Sequence, residues 1–162
     1  MISKELMATL RDHGEWALEM LRIRGPGRSD QFDLRFRKKD GSADSLGVTL
    51  SKEELQRMVM SYIEWEDDGN RLEDVSGTIL TTRSRLSLRQ RIAVLGKTSD
   101  EWSKELNIVT FNGGAPKFNV SEWKVDDCRF GKSFSGSEMD AITEVYEAAF
   151  GPLPRKQEHW WD

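Results

Sequence analysis

Apolar and polar residues alternate in several short segments of the chain, and this pattern predicts β-strands. Phe32, Leu34 and Phe36 alternate with charged residues, so one face of this strand would pack while the other presents arginines. Residues 16–24 alternate more loosely and lead into Gly25-Pro26-Gly27, which favours a turn. These two segments therefore predict an antiparallel hairpin.

The second half of the chain contains a stronger hairpin signal at Asn112-Gly113-Gly114, because a type I′ turn needs positive φ at both central positions. The remaining strand-like segments are residues 48–50, 85–95, 102–111, 117–124 and 130–135. Residues 3–10 stay ambiguous. Their propensity favours a helix, whereas an internal alignment with residues 92–95 favours a strand.

Two segments carry apolar residues at helical spacing. The first follows Ser51-x-x-Glu54, the spacing of a capping box. Its apolar stripe consists of Leu55, Met58, Val59, Tyr62 and Ile63. The second has Ser137 as its predicted N-cap and ends at Gly151-Pro152. Its stripe consists of Met139, Ile142, Val145, Tyr146 and Ala149. The pattern thus predicts two amphipathic helices, each after a group of strands.

The order of elements occurs twice. Glu15-Trp16-x-x-Glu19 and Phe32-x-Leu34 return as Glu101-Trp102-x-x-Glu105 and Phe118-x-Val120, at a constant offset of 86 residues. We therefore predict an α+β fold that is a tandem repeat of antiparallel β-β-β-β-α units. The boundaries are residues 1–66 for the first unit, 67–83 for a polar linker, 84–151 for the second unit and 152–162 for a tail.

Charge is distributed unevenly although the net charge of the 162 residues is only −4. Residues 21–39 hold seven basic groups and two acids, whereas residues 52–68 hold six acids and two basic groups. The strands are therefore basic and the helices acidic, which separates the two signs over the fold. Six Trp and seven Phe exceed what packing alone needs, so some aromatic rings are expected to face a ligand.

Enzyme chemistry is not indicated. His13 and His159 lie far apart without a second ligand at metal spacing, and Cys128 follows two aspartates that would disfavour a thiolate. We expect no metal, no cofactor and no catalytic residues. No apolar run reaches the length of a membrane span, and the first residues lack a signal-peptide pattern. The expected location is cytoplasmic, with the nucleoid as the site in a bacterial cell.

The second unit contains Trp102-Ser-Lys-Glu-Leu-Asn107, Pro116-Lys-Phe-Asn-Val120, Trp123-x-x-Asp126 and Phe130-Gly-Lys132 before a serine-capped helix. Over about residues 84–150 this pattern resembles the YdbC-type bacterial branch of the transcriptional positive cofactor four family. The first unit resembles a diverged relative. Trp16, Phe32-x-Leu34 and Gly47-Val-Thr-Leu-Ser51 fit, but Arg37 replaces a strand tryptophan and Leu46 replaces the lysine found at Lys132.

The resemblance implies a four-stranded antiparallel sheet followed by a helix, paired two-fold so that curved sheets form grooves for single-stranded DNA. A tandem chain would supply both halves as an intrachain pseudo-dimer, with curved sheets and helices on one side; a homodimer is the alternative. Ser121 and Phe111 stand where the family often has arginine and tryptophan. The contacts in the second groove are therefore expected to differ from those of the family.

Single strands expose their bases, so a binder needs aromatic platforms beside cations that follow the phosphates. In the second unit the candidates are Trp102, Lys104, Phe111, Lys117, Trp123, Lys124 and Lys132. In the first unit they are Trp16, Arg22, Arg24, Arg28, Arg35, Arg37 and Lys38. Phe36 is a further aromatic candidate, although its alternation with Leu34 favours the core. Trp123 is expected to be exposed for binding.

The leading hypothesis is a non-enzymatic protein that binds single-stranded DNA, or RNA, without marked sequence preference in replication, recombination, repair or transcription. A protein-interaction or scaffolding module of the same fold is the main alternative. A duplex-binding transcription factor is a weaker third hypothesis, because neither predicted helix is basic. Trp160 and Trp161 beside Asp162 suit recruitment of a partner protein, unless they pack back onto the chain.

Overall fold

The structure, a computed structural model, describes residues 1–45, 47–76, 79–83 and 85–155, without the side chains of Arg83 and Phe130. It is an α+β fold with two antiparallel sheets and two helices. Sheet 1 consists of β1 (Ser3–His13), β2 (Trp16–Arg24), β3 (Gln31–Lys38) and β4 (Val48–Ser51). Sheet 2 consists of β5 (Thr81–Arg83), β6 (Leu86–Lys97), β7 (Ser103–Phe111), β8 (Lys117–Lys124) and β9 (Asp127–Phe134). The helices are α1 (Lys52–Asp67) and α2 (Gly136–Phe150).

Residues 3–10, which the sequence left ambiguous, belong to the edge strand β1. Its register against β2 shifts between Leu6 and Ala8 and again between Thr9 and Arg11. These two irregularities accompany Met7 and Leu10, which pack against the main core. Tertiary pairing with β2 therefore overrides the helical propensity of this segment.

The predicted strands are confirmed, and their registers define two faces for each sheet. In sheet 1, Trp16 lies opposite Lys38 and Leu18 opposite Phe36. The face that carries Leu18 packs against the helices, and the opposite face carries charged residues such as Asp33 and Arg35. β9 begins at Asp127, three residues earlier than the sequence predicted.

Both helices begin with a capping box. Ser51 accepts a hydrogen bond from the Glu54 backbone, and the Glu54 side chain accepts one from the Ser51 backbone. In α2 the same exchange joins Ser135 and Glu138, so the prediction of Ser137 as the N-cap was wrong. Ser135 has the extended backbone of a cap, φ −75° and ψ 170°, whereas Ser137 already lies in the first turn.

The two capping glutamates also reach across the molecule. Glu54 Oε1 lies 3.0 Å from Nζ of Lys104 on β7, and both carboxylate oxygens of Glu138 accept hydrogen bonds from Arg11 on β1, at 2.7 and 2.8 Å. α1 packs mainly on β6, while α2 packs on β1. Each helix is thereby fixed to the sheet that it does not follow in sequence, α1 through Lys104 on β7 and α2 through Arg11 on β1.

One hydrophobic core connects both sheets and both helices. At its centre the ring of Phe118 on β8 meets the rings of Tyr62 and Trp65 on α1 edge-on, each at 5.2 Å between centroids. Residues 67–83, expected to be a polar connection, contribute a 3-10 helix at Leu72–Asp74 and the edge strand β5. Leu72 packs against the same core, so this segment is partly structural.

Phe118 should be a main determinant of stability because it is only 1% exposed and holds α1 against sheet 2. We expect Phe118→Ala to lower the free energy of unfolding by about 3–5 kcal/mol through lost contacts and a cavity. Urea unfolding followed by circular dichroism measures this change. Phe111→Ala removes the same ring from a position that is 39% exposed and should cost about 1 kcal/mol or less. Equal losses in the two variants would contradict this account of the core.

Glu138 should make the free energy of unfolding depend on pH in the acidic range. Burial alone would raise its pKa, but hydrogen bonds from Arg11 and the Ser135 backbone hold the pKa below the ordinary value of 4.5. A carboxylate with a depressed pKa stabilises the fold above its unfolded pKa and loses this effect as pH falls through the folded value. We expect the free energy of unfolding to decline below about pH 4.5.

Urea unfolding between pH 3 and 7 should show a shallower decline for Glu138→Gln than for the wild type. Glu53→Gln is the matched control, since Glu53 lies exposed in the first turn of α1. It should retain the wild-type pH dependence. An unchanged slope in Glu138→Gln would show that another carboxylate governs acid unfolding.

Candidate nucleic-acid interface

An aromatic cleft lies where one end of sheet 1 meets β9 of sheet 2. We define it by His13, Trp16, Phe36, Ser45 and Lys132, which line a space of about 330 Å³. His13 ends β1 and lies directly opposite Trp16, the first residue of β2. The cleft thus combines two aromatic platforms, an imidazole, a hydroxyl and an amine at one edge of the fold.

Lys132 is the cation of the aromatic cleft. Its Nζ lies 5.6 Å from the centroid of the Phe36 ring, within the range of a cation–π contact. Burial, followed by the charge of nearby Arg35, lowers the pKa of Lys132. Within the described part of the chain no carboxylate forms an ion pair with Lys132. An anion that enters the cleft would therefore relieve an unfavourable electrostatic environment.

Arg11 fixes the geometry of the cleft. Its guanidinium lies 5.7 Å from the centroid of the Phe36 ring and donates to the Ser133 carbonyl at 3.2 Å. Because Arg11 also holds Glu138, it joins β1, β9 and α2 at one point. Arg11 and Lys132 thus both lie within 6 Å of the Phe36 ring centroid, and β3, the strand of Phe36, also supplies Lys38 opposite Trp16.

The corresponding region of sheet 2 is closed. Trp102 precedes β7 as Trp16 begins β2, but the guanidinium of Arg129 lies 3.9 Å from the Trp102 ring centroid. Arg129 Nε is 3.3 Å from a carboxylate oxygen of Glu122, its partner across β8 and β9. One face of the indole is therefore covered by a planar cation from the same chain.

Trp123 is buried, and the prediction that it is exposed was wrong. It is 1% exposed and packs with Leu88 and Val109 on the face of sheet 2 that is turned away from the helices. Arg91 covers it, with its guanidinium 5.3 Å from the ring centroid. The sheet curls enough for β6 and β9 to enclose the ring, and a strand pattern does not encode that curvature.

Most of the predicted cations already have acidic partners. Arg35 pairs with the buried Asp33 at 2.7 Å, and Lys104 donates to the Thr49 carbonyl at 2.7 Å besides its pair with Glu54. The six predicted cations in ion pairs are Arg22, Arg24, Arg35, Arg37, Lys104 and Lys124. The four without one, among the residues that the structure covers, are Arg28, Lys38, Lys117 and Lys132.

A second aromatic position is accessible on sheet 2. Phe111 is 39% exposed and lies opposite Leu86 at the end of β7. Lys117 is exposed and lies opposite Val109, on the same face. A ring and a cation that has no ion pair among the described residues therefore lie on one face at the β7–β8 turn, and their predicted contact with nucleic acid stays a prediction.

The helices present a different electrostatic surface. A space of about 230 Å³ between α1 and α2 is lined by Glu66, Asp140, Glu144 and Glu147, among others. Burial and the hydrogen bond to Asp140 raise the pKa of Tyr62, and burial raises that of Glu66. This acidic surface would repel phosphates, so a nucleic-acid interface is favoured on the sheets.

Comparison with protein-family models and with curated proteins gives no match. The resemblance to the positive cofactor four family therefore stays a prediction. No group of three or more His, Cys, Asp and Glu in the described ranges is placed to hold a metal ion. None of the described helices is long and apolar enough to cross a membrane. The predicted tail site at Trp160 and Trp161 lies outside the described residues.

Sequence reasoning missed His13, Ser45 and Arg129 as parts of these sites. His13 was considered only as a metal ligand, although a tight β1–β2 turn places it opposite Trp16. Ser45 and Arg129 each lie six residues before the serine that caps the next helix, at Ser51 and Ser135. This common spacing was the signal available in the sequence.

Trp123 should contribute to stability rather than to ligand contact. We expect Trp123→Ala to lower the free energy of unfolding by about 3–5 kcal/mol, because a fully buried ring leaves a cavity. Thermal and urea unfolding measure this loss. Trp102→Ala is the matched comparison and should cost less, since Trp102 is only half-buried. If Trp123→Ala left stability unchanged, the ring would not be part of a packed cluster.

Proposed function

We propose that this protein binds single-stranded nucleic acid, with DNA as the principal ligand, through the aromatic cleft. The observation that carries the proposal is the position of Lys132. It is partly buried over Phe36, in the same cleft as Trp16, and has no carboxylate partner in the described residues. An aromatic ring beside an uncompensated cation suits one base and its phosphate.

The cleft favours an unpaired base over a duplex. Bases in a duplex are stacked and paired, so their faces cannot reach Trp16 or Phe36, whereas a single strand can turn one base outward. The acidic residues on α1 and α2 also argue against a helix that enters a major groove. Further contacts for phosphates are offered by Lys38 beside Trp16 and by Lys117 beside Phe111 at the β7–β8 turn.

Little in the cleft would read sequence. Its hydroxyl, Ser45 Oγ, already donates to the Phe36 carbonyl at 3.2 Å, and the other polar groups that line the cleft are those of His13, the Trp16 indole and Lys132. Stacking is tolerant of base identity because every base has an aromatic face. We therefore propose binding without marked sequence preference, which suits replication, recombination, repair or transcription.

We also propose that the chain is an intrachain pseudo-dimer that arose by tandem duplication. In support, each of two groups of antiparallel strands leads into a helix with a Ser-x-x-Glu capping box. The exchange of contacts is reciprocal, since Glu54 pairs with Lys104 of sheet 2 and Glu138 with Arg11 of sheet 1. Isologous dimers show the same reciprocity between their subunits.

A protein-interaction or scaffolding module of this fold is the second candidate. It is favoured by the internal pairing of six predicted cations, which leaves few charges for phosphates. The exposed apolar residues Ile79 and Leu80, beside edge strand β5, would suit contact with a protein. The two candidate functions differ in whether Trp16 and Lys132 contribute to the binding of nucleic acid.

Fluorescence anisotropy of labelled oligo-dT, oligo-U and a matched DNA duplex across a salt series tests the proposal. We expect oligo-dT to bind more tightly than the duplex. If the four unpaired cations each contact a phosphate, log K should fall against log salt with a slope of roughly −3, at ~0.7 per contact. Tighter binding to the duplex, or no binding to oligo-dT at low salt, would overturn the proposal. Tighter binding to oligo-U would assign RNA as the ligand.

Variants in the cleft make the test specific. Trp16→Ala should weaken oligo-dT binding roughly 5- to 150-fold, since a stacked base contributes about 1–3 kcal/mol. Lys132→Gln should reduce the salt slope by about 0.7. Lys52→Gln removes the same charge from α1, where Lys52 lies 4.4 Å from the Phe150 ring centroid, and should have little effect. An equal loss in Lys52→Gln would indicate attraction by overall charge alone.

A further inference from the structure

Sheets 1 and 2 place different residues at one equivalent position. In sheet 1, Phe36 lies opposite Leu18 and accepts a hydrogen bond from the Ser45 backbone on its other side. In sheet 2, Glu122 lies opposite Lys104 and is paired with Arg129 on its other side. Ser45 and Arg129 therefore occupy corresponding places. The small residue leaves the aromatic cleft open, and the large one covers Trp102.

Arg129 has the geometry of a substitute ligand for Trp102. A guanidinium is planar and stacks on an aromatic face as a base does, and its separation of 3.9 Å from the indole centroid is a stacking distance. Glu122 holds this arrangement with an ion pair at 3.3 Å, although the Arg129 side chain stays 40% exposed. The covering group can thus move into solvent without opening the core.

We infer that Arg129 is an intramolecular lid over a second base-stacking platform, Trp102. A single strand would displace the guanidinium of Arg129 from the indole, and one of its bases would stack on Trp102 instead. Arg129 would then bind a phosphate of the same strand. This inference rests on the proposed function. It assigns the two units different roles, because the aromatic cleft binds a base directly whereas Trp102 binds one only after Arg129 leaves.

The exchange gives up contacts within the protein and gains contacts with the strand. Among its contacts, Arg129 loses the cation–π contact with Trp102 and the ion pair with Glu122, and the strand supplies a stacked base and a phosphate. Glu122 would then lose its ion pair, because Lys104, which lies opposite it on β7, is already paired with Glu54. The second platform should therefore add less affinity than its ring alone would give, and a strand must be long enough to reach both sites.

Reciprocal substitutions at Ser45 and Arg129 test the inference. Arg129→Ser should uncover Trp102, and acrylamide quenching should show a larger accessible contribution from Trp102, taken as the difference between each protein and its Trp102→Ala version. Ser45→Arg should cover the aromatic cleft. In that background, Trp16→Ala should weaken oligo-dT binding less than it does in the wild type.

A double-mutant cycle on oligo-dT binding gives the decisive comparison. Trp102→Ala should weaken binding roughly 5- to 150-fold in the Arg129→Ser background, the full effect of a stacked base, and several-fold less in the wild type. At high salt, where phosphate contacts count least, Arg129→Ser should bind more tightly than the wild type.

Equal losses from Trp102→Ala in both backgrounds would overturn the lid while leaving the aromatic cleft as the binding site. No loss in either background would show that Trp102 is not a platform. Absence of oligo-dT binding in every variant would overturn the proposed function itself, and the lid with it. Oligo-dT of about 6 and 20 nucleotides separates a one-site from a two-site contact, since only the longer strand should respond to Arg129→Ser.

Discussion

Glu54 and Glu138 each make a local contact and a long-range contact, and the arrangement of the two sheets depends on these two residues. Each glutamate closes a capping box at the start of its helix and also accepts a cation from the other sheet. The start of each helix is therefore tied to the sheet on which it packs. A helix that shifted along its sheet would lose the ion pair, or would lose its cap bond if the glutamate side chain followed the cation, so the position of each helix on the other sheet is fixed at these points.

The shared core extends this constraint to the candidate site. The aromatic cleft takes Trp16 and Phe36 from sheet 1 and Lys132 from sheet 2, so it exists only when both sheets are in place. Arg11 connects the two requirements, because it holds Glu138 while its guanidinium lies over Phe36. Packing of α2 and the shape of the cleft thus depend on the same side chain.

The curvature of the sheets explains why cations and carboxylates form ion pairs on the face that is turned away from the helices. On the face turned away from the helices, Arg35 pairs with Asp33 and Arg91 with Glu105, the latter at 2.6 Å. A curled sheet brings these side chains close together in a partly dehydrated space, where unpaired charges would be costly. Cations near the sheet ends, such as Lys38 and Lys117, avoid this enclosure and stay available to a ligand.

The sequence by itself determined the strands, the two helices and the first capping box, because alternation, helical periodicity and Ser-x-x-Glu spacing act over a few residues. It could not decide β1, whose pairing with β2 outweighs helical propensity, nor the burial of Trp123, which depends on how far sheet 2 curls. Only the tertiary structure brought Lys132 over Phe36 and Arg129 over Trp102. The contact of Lys132 with Phe36 joins residues that are distant in sequence. The contact of Arg129 with Trp102 depends on the pairing of β8 with β9, which the alternation of apolar and polar residues does not specify.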